Sequence, residues 1–81
     1  MLTDDSHAKE LDLVGLRCPT PIVRLMKTIL ELNVGETLRA RANDPAFEVD
    51  LMAWARTTGH ELVKVDRADG IVTTVVRKTQ P

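Results

Sequence analysis

The residue best suited to chemistry in this 81-residue chain is its one cysteine, Cys18, which is followed by Pro19 and Pro21. Two prolines spaced in this way fit the first turn of a helix, where backbone donors lack partners. Cys18 should therefore stand at or beside the helix N-cap. There the helix dipole, the free N–H groups and the neighbouring Arg17 would stabilise a thiolate. We expect Cys18 to be a reactive thiol with a lowered pKa, rather than a small buried hydrophobe.

The residue types that the chain lacks exclude several kinds of cysteine chemistry. Without a second cysteine the chain has no dithiol redox couple, and one Cys with two scattered His cannot supply a zinc site. The sequence therefore predicts neither a metal nor a cofactor. What remains is a nucleophile that accepts a group and passes it on. Sulfane sulfur, held as a persulfide on Cys18, suits this role because both transfers follow the course of thiol–disulfide exchange.

Composition argues against several classes of partner. A net charge of −1 and only two aromatic residues predict no direct binding to nucleic acid and no attraction to anionic lipid. No apolar run approaches the ~20 residues that cross a bilayer. The polar start and the single cysteine indicate a cytoplasmic protein. We expect residues 1–7 to form a flexible tail and residues 8–79 a single domain.

Hydrophobic periodicity predicts the element order β-α-β-α-β-β. Right-handed crossovers would place both helices on one face of the sheet, giving a two-layer α/β sandwich of the α+β class. Asp69-Gly70 is a typical hairpin turn. Cys18 and Asp44 should lie at the same end as this turn, with His60 about 17–20 Å away at the other end, too far for a Cys–His hydrolase. The predicted strands are 8–14, 37–42, 61–66 and 71–78, and the predicted helices are 19–32 and 45–58.

Both helices have a predicted inner face and a predicted outer face. In the first helix the inner positions include Ile22, Leu25, Met26, Ile29 and Leu32; in the second they include Phe47, Leu51 and Trp54. Asp44 is expected to cap the second helix, although it could instead tune Cys18. The expected outer residues are tentative partner contacts. Val49 and Met52 on the second helix are apolar, and exposed apolar groups often mark such sites. Arg24 and Lys27 on the first helix could meet an acidic partner.

The stretch from Leu11 to Pro21, with its Cys-Pro-x-Pro element, resembles the TusA/SirA family of small sulfur carriers, as do residues 35–38, 44–46 and 59–63. The resemblance implies a mixed four-stranded sheet in the order 1-2-4-3. It also implies sulfurtransferase activity at Cys18, with Pro19 and Pro21 as framework. The donor would be a cysteine desulfurase or a rhodanese, and the acceptor a DsrE-like protein. The relay would serve tRNA thiolation, molybdenum cofactor synthesis or sulfur oxidation.

One segment departs from the family pattern. The branch that serves tRNA thiolation has Arg-Asp-Ile-Pro where this chain has residues 49–52, Val-Asp-Leu-Met, which argues against that route. Two other kinds of function stay open. Cys18 could form a sulfenic acid in a redox sensor or peroxidase-like protein, although such enzymes usually need a resolving thiol. The fold could also be a non-catalytic module that binds RNA or protein, since it resembles the C-terminal domain of a translation initiation factor.

Overall fold

A computed structural model describes residues 8–81, in which four strands and two helices follow one another in the predicted order. The predicted tail of residues 1–7 lies outside the described residues. Neither helix is long and apolar enough to span a membrane within this part of the chain. The elements are β1 (Lys9–Asp12), α1 (Thr20–Ile29), β2 (Thr37–Ala42), α2 (Phe47–Thr58), β3 (Glu61–Ala68) and β4 (Ile71–Arg77).

The four strands form one mixed sheet in the order β1-β2-β4-β3. β1 runs parallel to β2, while β4 is antiparallel to both β2 and β3. At the β3–β4 hairpin, Asp69 and Gly70 both have positive φ, 54° and 77°, as a type I′ turn requires. The α+β class, the mixed sheet and its strand order are thus confirmed.

One core lies between the helices and the sheet. The alternating apolar residues of β2 meet the inner faces of both helices in a single buried cluster, so the two helices share one side of the sheet. On the other side Arg39 and Arg41 pair with Glu10 and Asp12 of β1 at 3.5 and 4.0 Å. The buried cluster consists of Leu13, Ile22, Leu25, Ile29, Leu32, Leu38, Ala40, Ala42, Phe47, Leu51 and Val76.

The first helix is shorter than predicted, and one of its inner positions was assigned wrongly. α1 ends at Ile29, and the chain continues through a turn in which the Leu32 N–H donates to the Ile29 carbonyl. Leu32 still fills the core, but it does so from that turn. Met26 is 42% exposed, because it lies at the edge of the apolar stripe. Periodicity places the stripe correctly without showing where its edge becomes accessible to solvent.

Strand register decides which loops meet. Ala42 pairs with Val72 and Thr37 with Arg77, so β2 ends at the same edge of the sheet as the Asp69-Gly70 turn. The loop after the parallel strand β1 also leaves from that edge. His60, which precedes β3, lies at the opposite edge. The predicted separation of Cys18 from His60 is confirmed.

Candidate functional site at the Cys18 loop

Cys18 is exposed in the loop between β1 and α1. Pro19 is the N-cap residue and Thr20 the first helical residue, so the cysteine precedes the cap by one position. The Thr20 N–H donates to the Arg17 carbonyl at 2.9 Å, and the Val23 N–H to the Pro19 carbonyl at 3.1 Å. The Thr20 N–H is therefore not one of the free donors that were expected to stabilise a thiolate, because the backbone already uses it.

The thiol faces carboxylates instead. Cys18 Sγ donates to Oδ2 of Asp50, 3.6 Å away in the first turn of α2; sulfur, the larger atom, hydrogen-bonds at longer distances than oxygen. Asp44, in the loop that precedes α2, is also close enough to act on the thiol electrostatically. Asp44 is only 8% exposed, and its Oδ2 has no hydrogen-bond partner among residues 8–81.

This environment raises the pKa of the Cys18 thiol above its ordinary value. Partial desolvation of the sulfur by its neighbours is the largest cause, although the residue as a whole is exposed. The hydrogen bond to Asp50 and that carboxylate's charge come next, and the charge of Asp44 adds to them. All of these effects disfavour a thiolate. The expectation of a lowered pKa is therefore wrong, because desolvation and the nearby acidic groups disfavour the thiolate.

Arg17 stabilises the loop and does not contact the thiol. Its guanidinium donates to the Leu16 carbonyl at 3.3 Å and to Oδ1 of Asn43 at 3.4 Å. The same Asn43 oxygen accepts the Gly15 N–H at 2.9 Å. Arg17 and Asn43 thus tie the loop before Cys18 to the end of β2. Of the two prolines, Pro19 is the N-cap residue of α1 and Pro21 is buried in its first turn.

Asp44 does not cap α2 as expected. The N-cap residue of that helix is Ala46, and no side chain bonds to its free N–H groups. The main chain supplies the acceptors instead: the Asp44 carbonyl accepts from Phe47 N–H and the Ala46 carbonyl from Asp50 N–H, both at 3.0 Å. Because Pro45 and Ala46 form a turn before the helix, the Asp44 side chain is left beside Cys18. The alternative assignment, in which Asp44 tunes the thiol, is the one that fits.

Sequence reasoning missed Asp50, although a signal for it existed. The predicted topology already placed the start of α2 at the same end of the molecule as Cys18. An acidic residue in the first turn of that helix was therefore a candidate neighbour of the thiol.

The four predicted partner contacts are exposed and fall into two groups. Val49 and Met52, 69% and 47% exposed, flank Asp50 in the sequence of α2 but lie on a different face of the helix, because residues one or two positions apart do not share a face. Arg24 and Lys27 lie on α1. Lys27 borders an apolar groove of about 340 Å³ between the helices, which extends away from Cys18 towards His60. The groove is lined by Val23, Met26, Lys27, Ile29, Leu30, Trp54, Thr58 and His60.

Comparison with known proteins shows the family of this chain. The family described as Sulfurtransferase TusA matches residues 9–78. This chain belongs to the TusA family. The sulfur carrier protein TusA of Allochromatium vinosum is 37% identical over 71 residues, covering 88% of this chain and 93% of that protein. A candidate sulfur carrier of Aquifex aeolicus is 37% identical over 70 residues, covering 86% of this chain.

TusA relatives differ in length, and one solved structure shares the fold. The chain spans only 36% of the Aquifex aeolicus relative and 37% of a candidate sulfur carrier of Bacillus subtilis, to which it is 41% identical over 68 residues (84% of this chain). A crystal structure of a SirA-like protein from Desulfitobacterium hafniense superposes with a TM-score of 0.76. It covers 89% of this chain and 99% of that one at 19% identity, which supports the fold alone.

Proposed function

We propose that this TusA-family protein accepts sulfane sulfur as a persulfide on Cys18 and transfers it to a cysteine of a partner protein, as a sulfurtransferase of the cytoplasm. The observation that carries the proposal is the position of its only cysteine. Cys18 is exposed, precedes α1 and has a hydrogen-bonded carboxylate beside its sulfur. A single accessible thiol can exchange a group with another protein without forming an internal disulfide.

The transfer balances without an oxidant or reductant. Sγ of Cys18 attacks the outer sulfur of a donor persulfide, R–S–S–H, and a new S–S bond forms. The old S–S bond breaks, and its electron pair goes to the inner sulfur, which leaves as R–S–H after gaining a proton. Delivery repeats the exchange in the other direction, with the acceptor thiolate attacking the outer sulfur held on Cys18.

The lack of a resolving cysteine favours this role over the redox alternative. Cysteines that sense or reduce peroxide are usually low-pKa, accessible thiols next to a resolving cysteine. Cys18 is accessible, but its pKa is raised and the chain has no second cysteine. A thiol kept protonated is protected from adventitious oxidation. It can still react with a persulfide delivered by a docked donor.

We propose a cysteine desulfurase or a rhodanese as the donor and a DsrE-like protein as the acceptor. Val49 and Met52, exposed in the first half of α2, would provide an apolar contact for the partner. Arg24 and Lys27, exposed on the adjacent helix, would add positive charge for an acidic partner surface. A partner docked over the start of α2 and along α1 as far as Lys27 would reach Cys18 directly.

Mass spectrometry of the intact protein tests the proposal. After incubation with a cysteine desulfurase and cysteine, the wild-type chain should gain the mass of one sulfur atom, and a thiol reductant should remove it. Cys18→Ser should gain none. Equal loading of the serine variant, or no loading of the wild type by either a desulfurase or a rhodanese, would refute the sulfur-carrier assignment.

The docking surface has its own test. Met52→Glu combined with Val49→Lys should slow loading by the desulfurase, while loading by the small molecule glutathione persulfide stays at the wild-type rate. Val63→Lys is a matched control, because Val63 is an exposed apolar residue on β3. If the double variant exchanges sulfur with every protein partner at the wild-type rate, recognition does not use this face of α2.

A further inference from the structure

We infer that Asp50 is a catalytic residue of the sulfur transfer: its carboxylate takes the proton from the Cys18 thiol and returns it to the leaving sulfur of the donor, while buried Asp44 acts as an electrostatic positioning residue. The inference rests on the proposed function. It goes further by assigning the proton transfers that the exchange requires to named side chains.

The geometry places Asp50 where a proton acceptor is needed. Its Oδ2 already accepts from Cys18 Sγ at 3.6 Å with no partner protein present. Asp50 is half-buried, and its backbone N–H is held by the Ala46 carbonyl, in the first turn of α2. The neighbouring Leu51 is fully buried, which fixes the position of this turn against the core.

Two other charged groups, one at the start of α2 and one beside Cys18 in sequence, are already engaged. Glu48, the second acid in the first turn of α2, is paired with Arg67 of β3. Arg17 donates to Asn43 and to a backbone carbonyl. No acidic residue lies in the first turn of α1. Asp50 itself forms no ion pair within residues 8–81, so its carboxylate is available to accept a proton from the thiol.

The acidic surroundings make an acceptor necessary. A thiolate is the nucleophile, yet the raised pKa of Cys18 keeps the thiol protonated at neutral pH. The buried, unpaired Oδ2 of Asp44 adds negative charge that further disfavours a free thiolate. The proton therefore has to leave as the S–S bond forms. Asp50 is the group in hydrogen-bonding contact with it.

The complete step conserves atoms, protons and electrons. Cys18 Sγ attacks the outer sulfur of R–S–S–H, and its proton passes to the Asp50 carboxylate. The S–S electron pair goes to the inner sulfur of the donor. The protonated Asp50 then donates to that sulfur, which leaves as R–S–H. Cys18–S–S–H and an ionised Asp50 remain.

The test compares two reactions of the same thiol, loading by glutathione persulfide and alkylation by iodoacetamide, each followed against pH. Asp50→Asn removes the negative charge and the base but keeps the shape. Its thiol pKa should fall, so alkylation near pH 7 should be faster than in the wild type. Loading at pH 7 should be slower on the order of 10²-fold, the low end of what a positioned acid–base group contributes.

Three further variants sharpen the comparison. Asp50→Glu should recover part of the loading rate, because it keeps a carboxylate. Asp44→Asn should move the alkylation profile to lower pH and slow loading less than Asp50→Asn does. Asp66→Asn, on β3 and paired with Lys64, should change neither reaction. The loading deficit of Asp50→Asn should shrink as pH rises through the thiol pKa, since solvent then removes the proton.

A merely structural role of Asp50 would not make alkylation of Cys18 faster and sulfur loading slower in the same variant. If Asp50→Asn loads sulfur at the wild-type rate or faster while circular dichroism shows an intact fold, the inference is overturned and the carboxylate only holds the thiol protonated. If the wild-type chain does not load at all, the proposed function fails, and the inference fails with it.

Discussion

Lys78 offers a measurable test of how the end of α1 is held in place. This lysine follows β4 and is only 7% exposed. Its Nζ donates to the Leu32 carbonyl at 2.7 Å, in the turn after α1. The same turn is tied to the end of the sheet by backbone bonds from Gly35 N–H to the Lys78 carbonyl and from Lys78 N–H to the Glu36 carbonyl.

Replacing Lys78 by methionine keeps most of the buried volume but removes the ammonium group. A hydrogen bond from a charged donor contributes about 1.5–3 kcal/mol, and the Leu32 carbonyl would be left without this donor. Relief of the desolvation cost of a buried charge offsets part of the loss. We expect the free energy of unfolding to fall by about 2 kcal/mol. For a domain of this size that corresponds to a drop in Tm of about 8–16 °C.

Urea unfolding followed by circular dichroism measures the change directly. Lys64→Met is the matched control, because Lys64 is exposed and its ion pair with Asp66 lies at the surface; we expect that variant to lose no more than about 1 kcal/mol. If the Lys78→Met protein is as stable as the wild type, the desolvation cost of the buried ammonium cancels the stabilisation from its hydrogen bond to the Leu32 carbonyl. The turn after α1 would then be held by its backbone bonds alone.

Three further outcomes follow from single residues. Gly70→Ala should destabilise the protein by about 1 kcal/mol in urea unfolding, because φ is 77° there and alanine rarely adopts that angle. No atom lies within 4 Å of the added Cβ, so the backbone strain is the expected cause. An unchanged unfolding midpoint would contradict the strained turn. Burial, and then the charge of Lys78, lower the pKa of His60, so the unfolded state binds more protons and stability should fall as pH drops below about 6.5. His60→Gln should weaken this dependence of stability on pH. If the variant loses stability as steeply as the wild type when the pH falls, His60 is not its cause. Arg17→Gln should move the alkylation profile of Cys18 less than Asp50→Asn does, because its guanidinium contacts Asn43.

Local signals predicted most of the fold correctly. The apolar spacing of the helices, the alternation of β2 and the Asp69-Gly70 turn all depend on residues near one another in sequence. Gly59, which ends α2 with a φ of 86°, is a local signal of the same kind. The order 1-2-4-3 required the family resemblance, because strand pairing joins residues far apart in the chain.

Element ends were less predictable. α1 ends at Ile29 rather than Leu32, since the Lys78 side chain and the backbone at Glu36 stabilise a turn there. α2 begins after Ala46, so that the residue expected as its cap, Asp44, points elsewhere. In both places a contact with a distant segment, or a competing local turn, outweighs the pattern of residue types.

For the functional site, the sequence by itself determined the candidate nucleophile: the chain has one cysteine, and the prolines after it mark the start of a helix. Only the tertiary structure decided what surrounds that sulfur. Asp50 is 32 residues from Cys18 in sequence and reaches it because both helices begin at the same edge of the sheet. A thiol's pKa depends on charges and desolvation within a few ångströms. The packing of α2 beside the loop therefore reversed the pKa shift that the helix start alone had predicted.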